Sequence, residues 1–179
     1  MFSSESDLWA TPQDFFDRLN DEFHFTLDPC ADAVNHKCEK YFTEKEDGLS
    51  QDWSGEIVFC NPPYSKSEAA CKTGCSKKSC IKRGYHLDKY KPGQDDWIRK
   101  SFEEGKKENT TVVMLIPART DKEVMHDYVF KHARAICFIK GRLRFGSAKD
   151  VAPFPSMLVV FGNAEFNYIE EFGHWIKLR

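Results

Sequence analysis

The fold is decided by Ile57-Val58-Phe59-Cys60-Asn61-Pro62-Pro63-Tyr64, a stretch that joins an apolar run to a double proline. The β-branched and aromatic residues of the apolar run predict a buried strand. That strand ends at Asn61, because Pro62 and Pro63 lack the N–H donors that a sheet requires. Asn61 precedes a proline and is therefore biased toward extended geometry. The stretch predicts a stiff corner at the carboxyl end of a strand, the edge where open α/β sheets bind ligands.

The predicted corner carries groups suited to methylating an exocyclic amine. The amino group of adenine is a poor nucleophile, because its lone pair is delocalised into the ring. The Asn61 side-chain oxygen and the Pro62 carbonyl can accept hydrogen bonds from both N–H groups and draw the nitrogen toward tetrahedral geometry. Tyr64 can then stack on the base. The alternative is a purely structural one, a strand that ends in a Pro-Pro turn.

Asn-Pro-Pro-Tyr resembles the signature of S-adenosylmethionine-dependent amino-methyltransferases, which act on adenine N6 or, in a neighbouring branch, on protein glutamine. From Trp9 to about Phe161 the chain is similar to the phage-type (Dam-like) DNA N6-adenine methyltransferases. The glycine-rich turn that follows the first cofactor motif in other methyltransferases is replaced here by Asp32-Ala33-Val34-Asn35. The ordered motifs shared with the phage-type branch are Leu27-Asp28-Pro29-Cys30-Ala31, Asn35, Lys37-Cys38, Tyr41-Phe42-Thr43, Asp47-Gly48-Leu49 and Trp53.

This resemblance implies S-adenosylmethionine as the cofactor and assigns residues to it by position. An aromatic-x-Thr-Pro element ahead of the first strand touches the cofactor in many adenine methyltransferases. A carboxylate before the central strand, here Asp47, can bind the cofactor adenine while Leu49 packs on its ring; the alternative is a solvated turn. The implied cofactor contacts are Trp9, Thr11, Pro12, Asp28, Pro29, Cys30, Asp47, Leu49 and Asn61, and the implied catalytic residues are Asn61, Pro62, Pro63 and Tyr64.

Length and composition favour one globular domain over residues 1–179. Hydrophobic residues make up 41% of the 179 and aromatics 14%, enough for a sizeable core. No apolar run approaches the roughly 20 residues that span a bilayer, and the polar start Met1–Asp7 is unlike a signal peptide. We therefore expect a cytoplasmic protein (in a bacterial host, if phage-encoded) without a membrane partner. Its seven cysteines are then thiols or metal ligands rather than disulfides.

The remaining elements predict an α/β protein with an abbreviated Rossmann-like methyltransferase sheet. Thr11 is the expected cap of a helix that begins at Pro12, and a strand is expected over Phe23–Leu27. Asp95 or Asp96 is the expected cap of a helix that ends near Gly105. The segment between Asp28 and Asp47 has room for a short helix or one small strand. Further strands are predicted at Thr111–Pro117, Ala135–Ile139 and Met157–Phe161, the last two as an antiparallel hairpin.

An insertion at residues 66–94 interrupts the resemblance and predicts a metal-binding knuckle. Cys71-x3-Cys75-x4-Cys80-x5-His86 offers three thiols and an imidazole at short loop spacings, which suits tetrahedral Zn²⁺. The alternative is three incidental cysteines in a polar loop. Between Cys71 and Lys91, seven lysines and arginines stand against one aspartate. Such a segment can bind phosphate or read bases, or it can be a solvated basic loop.

The overall net charge of −2 requires any DNA contact to come from a local basic patch. Arg119 follows a strand end and either contacts phosphate or pairs with Asp121. Arg142 and Arg144 share one face, either as a DNA-facing ridge or as protection of an edge strand. The predicted DNA contacts are Lys77, Lys78, Lys82, Arg83, Arg119, Arg142 and Arg144.

The predicted function is methyl transfer to adenine N6 in double-stranded DNA, by direct displacement, with the base flipped out of the helix. Two alternatives remain open. One is an amino-methyltransferase that acts on RNA or on protein glutamine. The other is a zinc-dependent DNA-binding module whose methyltransferase body has decayed.

Overall fold

A computed structural model describes residues 9–146 and 150–179 of the chain; the polar start Met1–Asp7 lies outside these residues. The described residues form a seven-stranded sheet in the order β2-β1-β3-β4-β6-β5-β7. Its strands are β1 (Leu27–Asp28), β2 (Lys40–Tyr41), β3 (Ile57–Cys60), β4 (Thr111–Pro117), β5 (Ala135–Ile139), β6 (Ser156–Gly162) and β7 (Gly173–Lys177).

Helices lie between the strands and in the insertion. Those in the described residues are α1 (Gln13–Phe23), α2 (Lys78–Arg83), α3 (Gln94–Gly105) and a π-helical turn (Met125–Val129) that continues as α4 (Phe130–His132), with a 3-10 turn at Glu170–Phe172. None of the helices in the described ranges is long and apolar enough to cross a membrane.

The sheet is parallel on one side and antiparallel on the other. Strand β1 pairs in parallel with β2 and β3, and β3 pairs in parallel with β4. Strand β6 is antiparallel to both of its neighbours, β4 and β5, so the predicted antiparallel pair is confirmed. The small strand β2 occupies the short segment between Asp28 and Asp47, and β7 adds an edge strand that the sequence did not predict. This mixed α/β sheet is consistent with a methyltransferase-like fold.

The core has two layers, because strands β3, β4 and β6 are buried on both faces. On one face, α1 packs Phe15, Phe16, Leu19 and Phe23 against the sheet, as their helical spacing predicts. On the other face, α3 contributes Ile98 to a cluster of buried residues. All seven residues of β4 are buried, which explains its continuous apolar sequence.

Two local predictions at the N-terminal helix are wrong. The expected strand over Phe23–Leu27 is reduced to Leu27–Asp28, because α1 continues through Phe23 and His24 ends it in the left-handed conformation, with φ 54°. Thr11 does not cap α1, whose N-cap position is Pro12 and has no side-chain cap. The Thr11 hydroxyl oxygen instead accepts a hydrogen bond from the Asn61 side chain, at 2.9 Å.

The predicted cap of α3 is also displaced. The N-cap residue is Gly93, not Asp95 or Asp96. The Asp96 carboxylate lies three positions inside the helix and accepts the Gly93 N–H at 2.9 Å, which is the second half of a capping box. The helix ends at Gly105, as predicted.

Candidate functional site

A cleft lies where the parallel strands β1 and β3 end side by side. Its cavity volume is ≈ 40 Å³. Among the predicted cofactor contacts, Pro12, Pro29, Asp47 and Leu49 do not line the cleft. The lining residues are Trp9, Ala10, Thr11, Asp28, Cys30, Asn35, Lys37, Phe59, Asn61, Pro62 and Pro63.

Three hydrogen bonds hold the Asn61 side chain in the cleft, two that it donates and one that it accepts. Its side-chain nitrogen donates to the Trp9 carbonyl at 2.6 Å and to the Thr11 hydroxyl at 2.9 Å. Its side-chain oxygen accepts the Tyr64 hydroxyl at 2.7 Å. Because a carbonyl oxygen has two lone pairs, the Asn61 oxygen can still accept one further donor. The amide is therefore oriented before any substrate arrives.

Three aromatic rings pack around Tyr64, which is only 6% exposed. The Trp9 ring is stacked with the Tyr64 ring, with centroids 6.3 Å apart and 18° between the planes. Phe145 and Phe154 make edge contacts with Tyr64, with ring centroids 6.1 and 5.5 Å from its own. Burial raises the pKa of Tyr64 well above 10, so its hydroxyl stays a donor to Asn61. A base that stacks on Tyr64 must displace one of these rings. Sequence reasoning missed Phe145 and Phe154; the stiff Pro153-Phe154-Pro155 run was the available signal.

Asp28 places a buried carboxyl group at the opposite wall of the cleft. It is 5% exposed, and it accepts the backbone N–H groups of Lys37 at 3.0 Å and Cys30 at 3.4 Å. Burial raises the pKa of Asp28 from 3.8 to about 6, although both backbone hydrogen bonds work in the opposite direction. The Lys37 ammonium group hydrogen-bonds to the Gln13 side chain at 2.7 Å. A cation bound beside Asp28 would stabilise the ionised carboxylate.

Cys30 brings a buried thiol to the same wall of the cleft. Its sulfur lies 3.9 Å from the sulfur of Cys60, the last residue of β3. Burial raises the pKa of the Cys30 thiol well above 9, and the neighbouring Cys60 adds to the effect. All seven cysteines of the chain are free thiols in the structure, as predicted.

The Asp47-Gly48-Leu49 turn packs against the β1 end without lining the cleft. A Cβ atom on Gly48 would lie 1.9 Å from the Pro29 carbonyl oxygen, so only glycine permits this approach. The indole N–H of Trp53 donates to the Gly48 carbonyl at 2.9 Å. The side chain of Asp47 is exposed and its backbone is left-handed, with φ 52°. The structure thus brings the turn to Pro29 but leaves the Asp47 carboxylate toward solvent.

Glu104 supports this turn through Trp53. Its side chain is buried, with the residue 2% exposed, and it accepts the backbone N–H of Trp53 at 3.0 Å. Lys100 and Lys107 each pair with it at 2.7 Å. Burial alone would raise the pKa of Glu104, but hydrogen bonds from the two lysines outweigh it and the pKa is lowered. The ionised carboxylate therefore keeps its partners at neutral pH.

The four predicted metal ligands converge in the insertion. The ligand atoms of Cys71, Cys75, Cys80 and His86 all lie within 4.8 Å of one another. The Cys80 sulfur is 3.4 Å from that of Cys71 and 3.7 Å from that of Cys75. Tetrahedral Zn²⁺ with bonds of about 2.3 Å to sulfur separates its ligands by about 3.8 Å. The group can bind a metal ion.

Backbone hydrogen bonds tie the insertion to the corner that follows β3. Glu68 and Lys91 exchange two N–H to carbonyl bonds, each of 2.9 Å. The Ser65 carbonyl accepts the Gln94 N–H at 2.9 Å. The chain therefore leaves for the insertion one residue after Tyr64 and returns to the same place.

Arg83 points toward the Cys/His cluster and contacts it. Its guanidinium binds both carboxylate oxygens of Glu68, at 3.0 and 3.1 Å, and the Cys80 sulfur at 3.3 Å. Hydrogen bonding from His86 lowers the pKa of the Cys71 thiol to about 6. The predicted DNA contacts Lys77, Lys78 and Lys82 are exposed around this cluster.

The other predicted DNA contacts lie on exposed segments beyond the cleft. Arg119 is exposed after β4. Arg142 and Arg144 are exposed, whereas Leu143 and Phe145, which alternate with them, pack into the core. These residues lie outside any strand, so the edge-strand alternative for the two arginines is wrong. Contact of the three arginines with DNA stays a prediction.

Fold and cleft together indicate a methyltransferase-like protein. Residues 1–166 match the model of the family described as DNA N-6-adenine-methyltransferase (Dam), and the chain therefore belongs to that family. Over 64 residues it is 41% identical to a DNA N-6-adenine-methyltransferase of Haemophilus phage HP1 (strain HP1c1), covering 35% of this chain and 37% of that protein. Over 148 residues it is 24% identical to a DNA N-6-adenine-methyltransferase of Escherichia phage T1, covering 80% of this chain and 58% of that protein. The matched part of the chain thus spans less than two thirds of either relative.

Proposed function

We propose that this chain transfers a methyl group from S-adenosylmethionine to the N6 amino group of adenine in DNA, on an abbreviated Rossmann-like sheet. One observation carries the proposal: Asn61 and Asp28 meet in one cleft at the carboxyl ends of adjacent parallel strands. This is the edge at which open α/β sheets bind ligands. Membership of the Dam family supports the choice of adenine and of DNA.

The cleft fits the cofactor through charge. S-adenosylmethionine carries a sulfonium and an ammonium group, and it supplies an electrophilic methyl group when bound. The Asp28 carboxyl, 5% exposed and with its pKa raised by burial to about 6, gains most from a nearby cation. We assign Asp28 and Cys30 to the cofactor together with Trp9 and Thr11, which reach the cleft from the segment before α1.

Residues of the corner prepare the adenine amine. The Asn61 oxygen and the Pro62 carbonyl accept its two N–H groups, and the Tyr64 hydroxyl holds the Asn61 amide in the required orientation. Asn61 is an acceptor and not a base, so the proton leaves the amine after the methyl group arrives. Flipping the adenine out of duplex DNA costs a few kcal/mol. Stacking on the rings around Tyr64 recovers about 1–3 kcal/mol.

The test uses S-adenosylmethionine labelled in its methyl group, with plasmid DNA as acceptor. Wild-type protein should label adenine at N6. Asn61→Ala should lose transfer by at least about 100-fold, since an acceptor made for the transition state is removed, while cofactor affinity stays largely unchanged. Pro62→Ala is the matched control and should lose less, because its carbonyl remains. Transfer by Asn61→Ala at a rate near wild type would refute the assigned roles.

The same assay separates the alternatives. Label transferred to RNA or to protein glutamine, with none in DNA, would replace the proposed substrate. A decayed methyltransferase body should bind no S-adenosylmethionine in calorimetry. Binding together with labelled N6-methyladenine excludes a pure DNA-binding module.

For the insertion we propose that Cys71, Cys75, Cys80 and His86 bind one Zn²⁺ ion per chain. Three sulfurs and an imidazole form a closed tetrahedral donor set, the type that serves structure rather than catalysis. The segment has little core of its own, so metal binding supplies its folding energy. The basic residues on its surface, Lys77, Lys78 and Lys82 above all, would then contact DNA.

Elemental analysis should find about one zinc per chain in protein purified without chelators. Chelation should weaken DNA affinity and reduce its salt dependence, while cofactor binding persists because the cleft lies in the sheet. Protein without metal would contradict the site. Intact DNA binding after the double change Cys75→Ser and Cys80→Ser would leave the ion without a role in DNA contact.

A further inference from the structure

Helix α2 in the insertion has two different faces. Cys80 is buried toward the sulfur cluster, and Arg83 is held inward by Glu68. The opposite face presents Ile81, which is 72% exposed, with Lys78 three positions before it and Lys82 next to it. We call Lys78, Ile81 and Lys82 the outer face of the knuckle; Tyr85, which is 59% exposed, follows the left-handed Gly84 that ends the helix.

The outer face combines apolar surface with free positive charge. Within residues 9–146 and 150–179, the ammonium groups of Lys78 and Lys82 have no hydrogen-bond or ion-pair partner. Of the five exposed large hydrophobic residues in the described chain, three lie in the knuckle: Ile81, Tyr85 and Tyr90. Isolated exposed apolar residues are ordinary, but a cluster framed by lysines fits a partner that is both anionic and stacked.

The outer face is also rigidly mounted. The Arg83 guanidinium lies 5.0 Å from the centre of the Tyr85 ring and donates to the Tyr85 carbonyl at 3.1 Å. The same guanidinium is fixed by Glu68 and by the Cys80 sulfur. Ile81 follows Cys80 directly, so it is tied to the cluster through the backbone. The insertion begins and ends beside Ser65, one residue after Tyr64, so the knuckle that carries the outer face is anchored at the corner.

We propose that Ile81 inserts between the base pairs of duplex DNA while Lys78 and Lys82 bind the adjacent phosphates. This inference rests on the proposed function and deepens it. Proteins that deform DNA commonly insert an apolar side chain between base steps, with basic residues on the backbone on either side. Opening the stack beside the target adenine would lower the cost of moving that base into the cleft.

The test compares initial methylation rates on duplex plasmid and on the same plasmid denatured to single strands. Single strands do not need the Ile81 side chain as a wedge between base pairs, because their bases are already unpaired. Ile81→Ser should lower the rate on the duplex about tenfold and leave the rate on single strands within about twofold of wild type. Val151→Ser is the matched control: Val151 is 49% exposed and lies outside both the knuckle and the cleft, so both rates should be unchanged. Zinc content should stay equal in all three proteins, because Ile81 is not a ligand.

A second variant separates the charges from the wedge. The double change Lys78→Gln and Lys82→Gln should weaken duplex binding and reduce the slope of log affinity against log salt concentration by about two. Ile81→Ser should leave that slope unchanged. An altered slope in Ile81→Ser would mean that the variant disturbs the phosphate contacts, and the wedge would be refuted.

Three outcomes overturn the inference: an unchanged duplex rate in Ile81→Ser, an equal loss on duplex and single strands, or a change of oligomeric state with both rates unchanged. The last outcome would identify the outer face as a protein interface. A wild-type protein that methylates no DNA refutes the proposed function instead. In that case filter binding tests the insertion of Ile81: the inference requires Ile81→Ser to bind duplex DNA more weakly than wild type and to bind single strands equally well.

Discussion

Asp28→Asn is the change that tests most directly how the cleft recognises its cofactor. Burial disfavours the ionised form of the Asp28 carboxyl group and raises its pKa from 3.8 to about 6. That difference corresponds to about 3 kcal/mol between the protonated and ionised states. Asparagine has nearly the same shape but cannot ionise, so the substitution removes this cost at neutral pH.

The sign of the effect follows from linkage. Because the folded-state pKa lies above the unfolded value, the stabilising contribution of Asp28 is complete below about pH 4 and is lost as the pH rises through about 6. The free energy of unfolding of Asp28→Asn, relative to wild type, should therefore increase by about 2 kcal/mol between pH 4 and pH 7. A constant penalty of about 1 kcal/mol is superimposed, since one of the Lys37 and Cys30 N–H groups loses its acceptor.

The affinity of the wild-type protein for the cofactor should rise with pH, whereas its stability falls. A cation beside Asp28 prefers the ionised carboxylate, so wild-type affinity for S-adenosylmethionine should fall about tenfold from pH 7 to pH 5. Asp28→Asn should bind more weakly at pH 7 and show little of this pH dependence.

Urea unfolding and titration calorimetry at pH 4 to 7 measure the two effects, with Asp21→Asn on the exposed side of α1 as the control. A stability difference that does not change with pH would refute the raised pKa. If stability follows the prediction but affinity does not depend on pH, Asp28 is buried for a reason other than the cofactor.

The remaining predictions concern the turn beside the cleft. Gly48→Ala should lower the free energy of unfolding by about 1–3 kcal/mol in urea titrations, because its Cβ would meet the Pro29 carbonyl at 1.9 Å. Gly55→Ala, with no atom within 4 Å, should show only the cost of a left-handed backbone, and an equal loss in both variants would disprove the steric argument. The family resemblance implies that the cofactor extends beyond the cleft to the exposed Asp47 carboxylate, so Asp47→Ala should weaken S-adenosylmethionine binding in calorimetry without unfolding the protein. Asp47→Asn keeps an acceptor and tolerates φ 52°, so it should retain more affinity for the cofactor than Asp47→Ala. Unchanged affinity in the alanine variant would mean that Asp47 only forms part of a solvated turn.

Local sequence was sufficient wherever neighbouring residues set the outcome. Phe15, Phe16 and Leu19 repeat at helical spacing and are buried on α1. The apolar run before Asn61 forms β3 and ends at the double proline. Cys71, Cys75 and Cys80 share a short loop, so chain connectivity alone brings their sulfurs near one another. In each case the determining contacts are only a few residues apart.

Other features depend on partners far along the chain, which a local pattern does not contain. Thr11 has the sequence of a helix cap but contacts Asn61, 50 residues away. Arg83 has the sequence of a phosphate contact but is turned inward by Glu68. The two-residue strands β1 and β2 are too short to show a period, and their ladders form only because β3 offers an edge.

The chemical groups of the candidate site, and the ends of the strands that present them, can be read from local sequence. The position of β6 between β4 and β5, the contact of Gly48 with Pro29, and the packing of Phe145 and Phe154 around Tyr64 are visible only in the folded chain. The difference lies in the range of the interactions. Strand ends and ligand spacings follow from the missing N–H of proline and from short chain lengths, whereas packing contacts form only after the sheet has brought distant segments together.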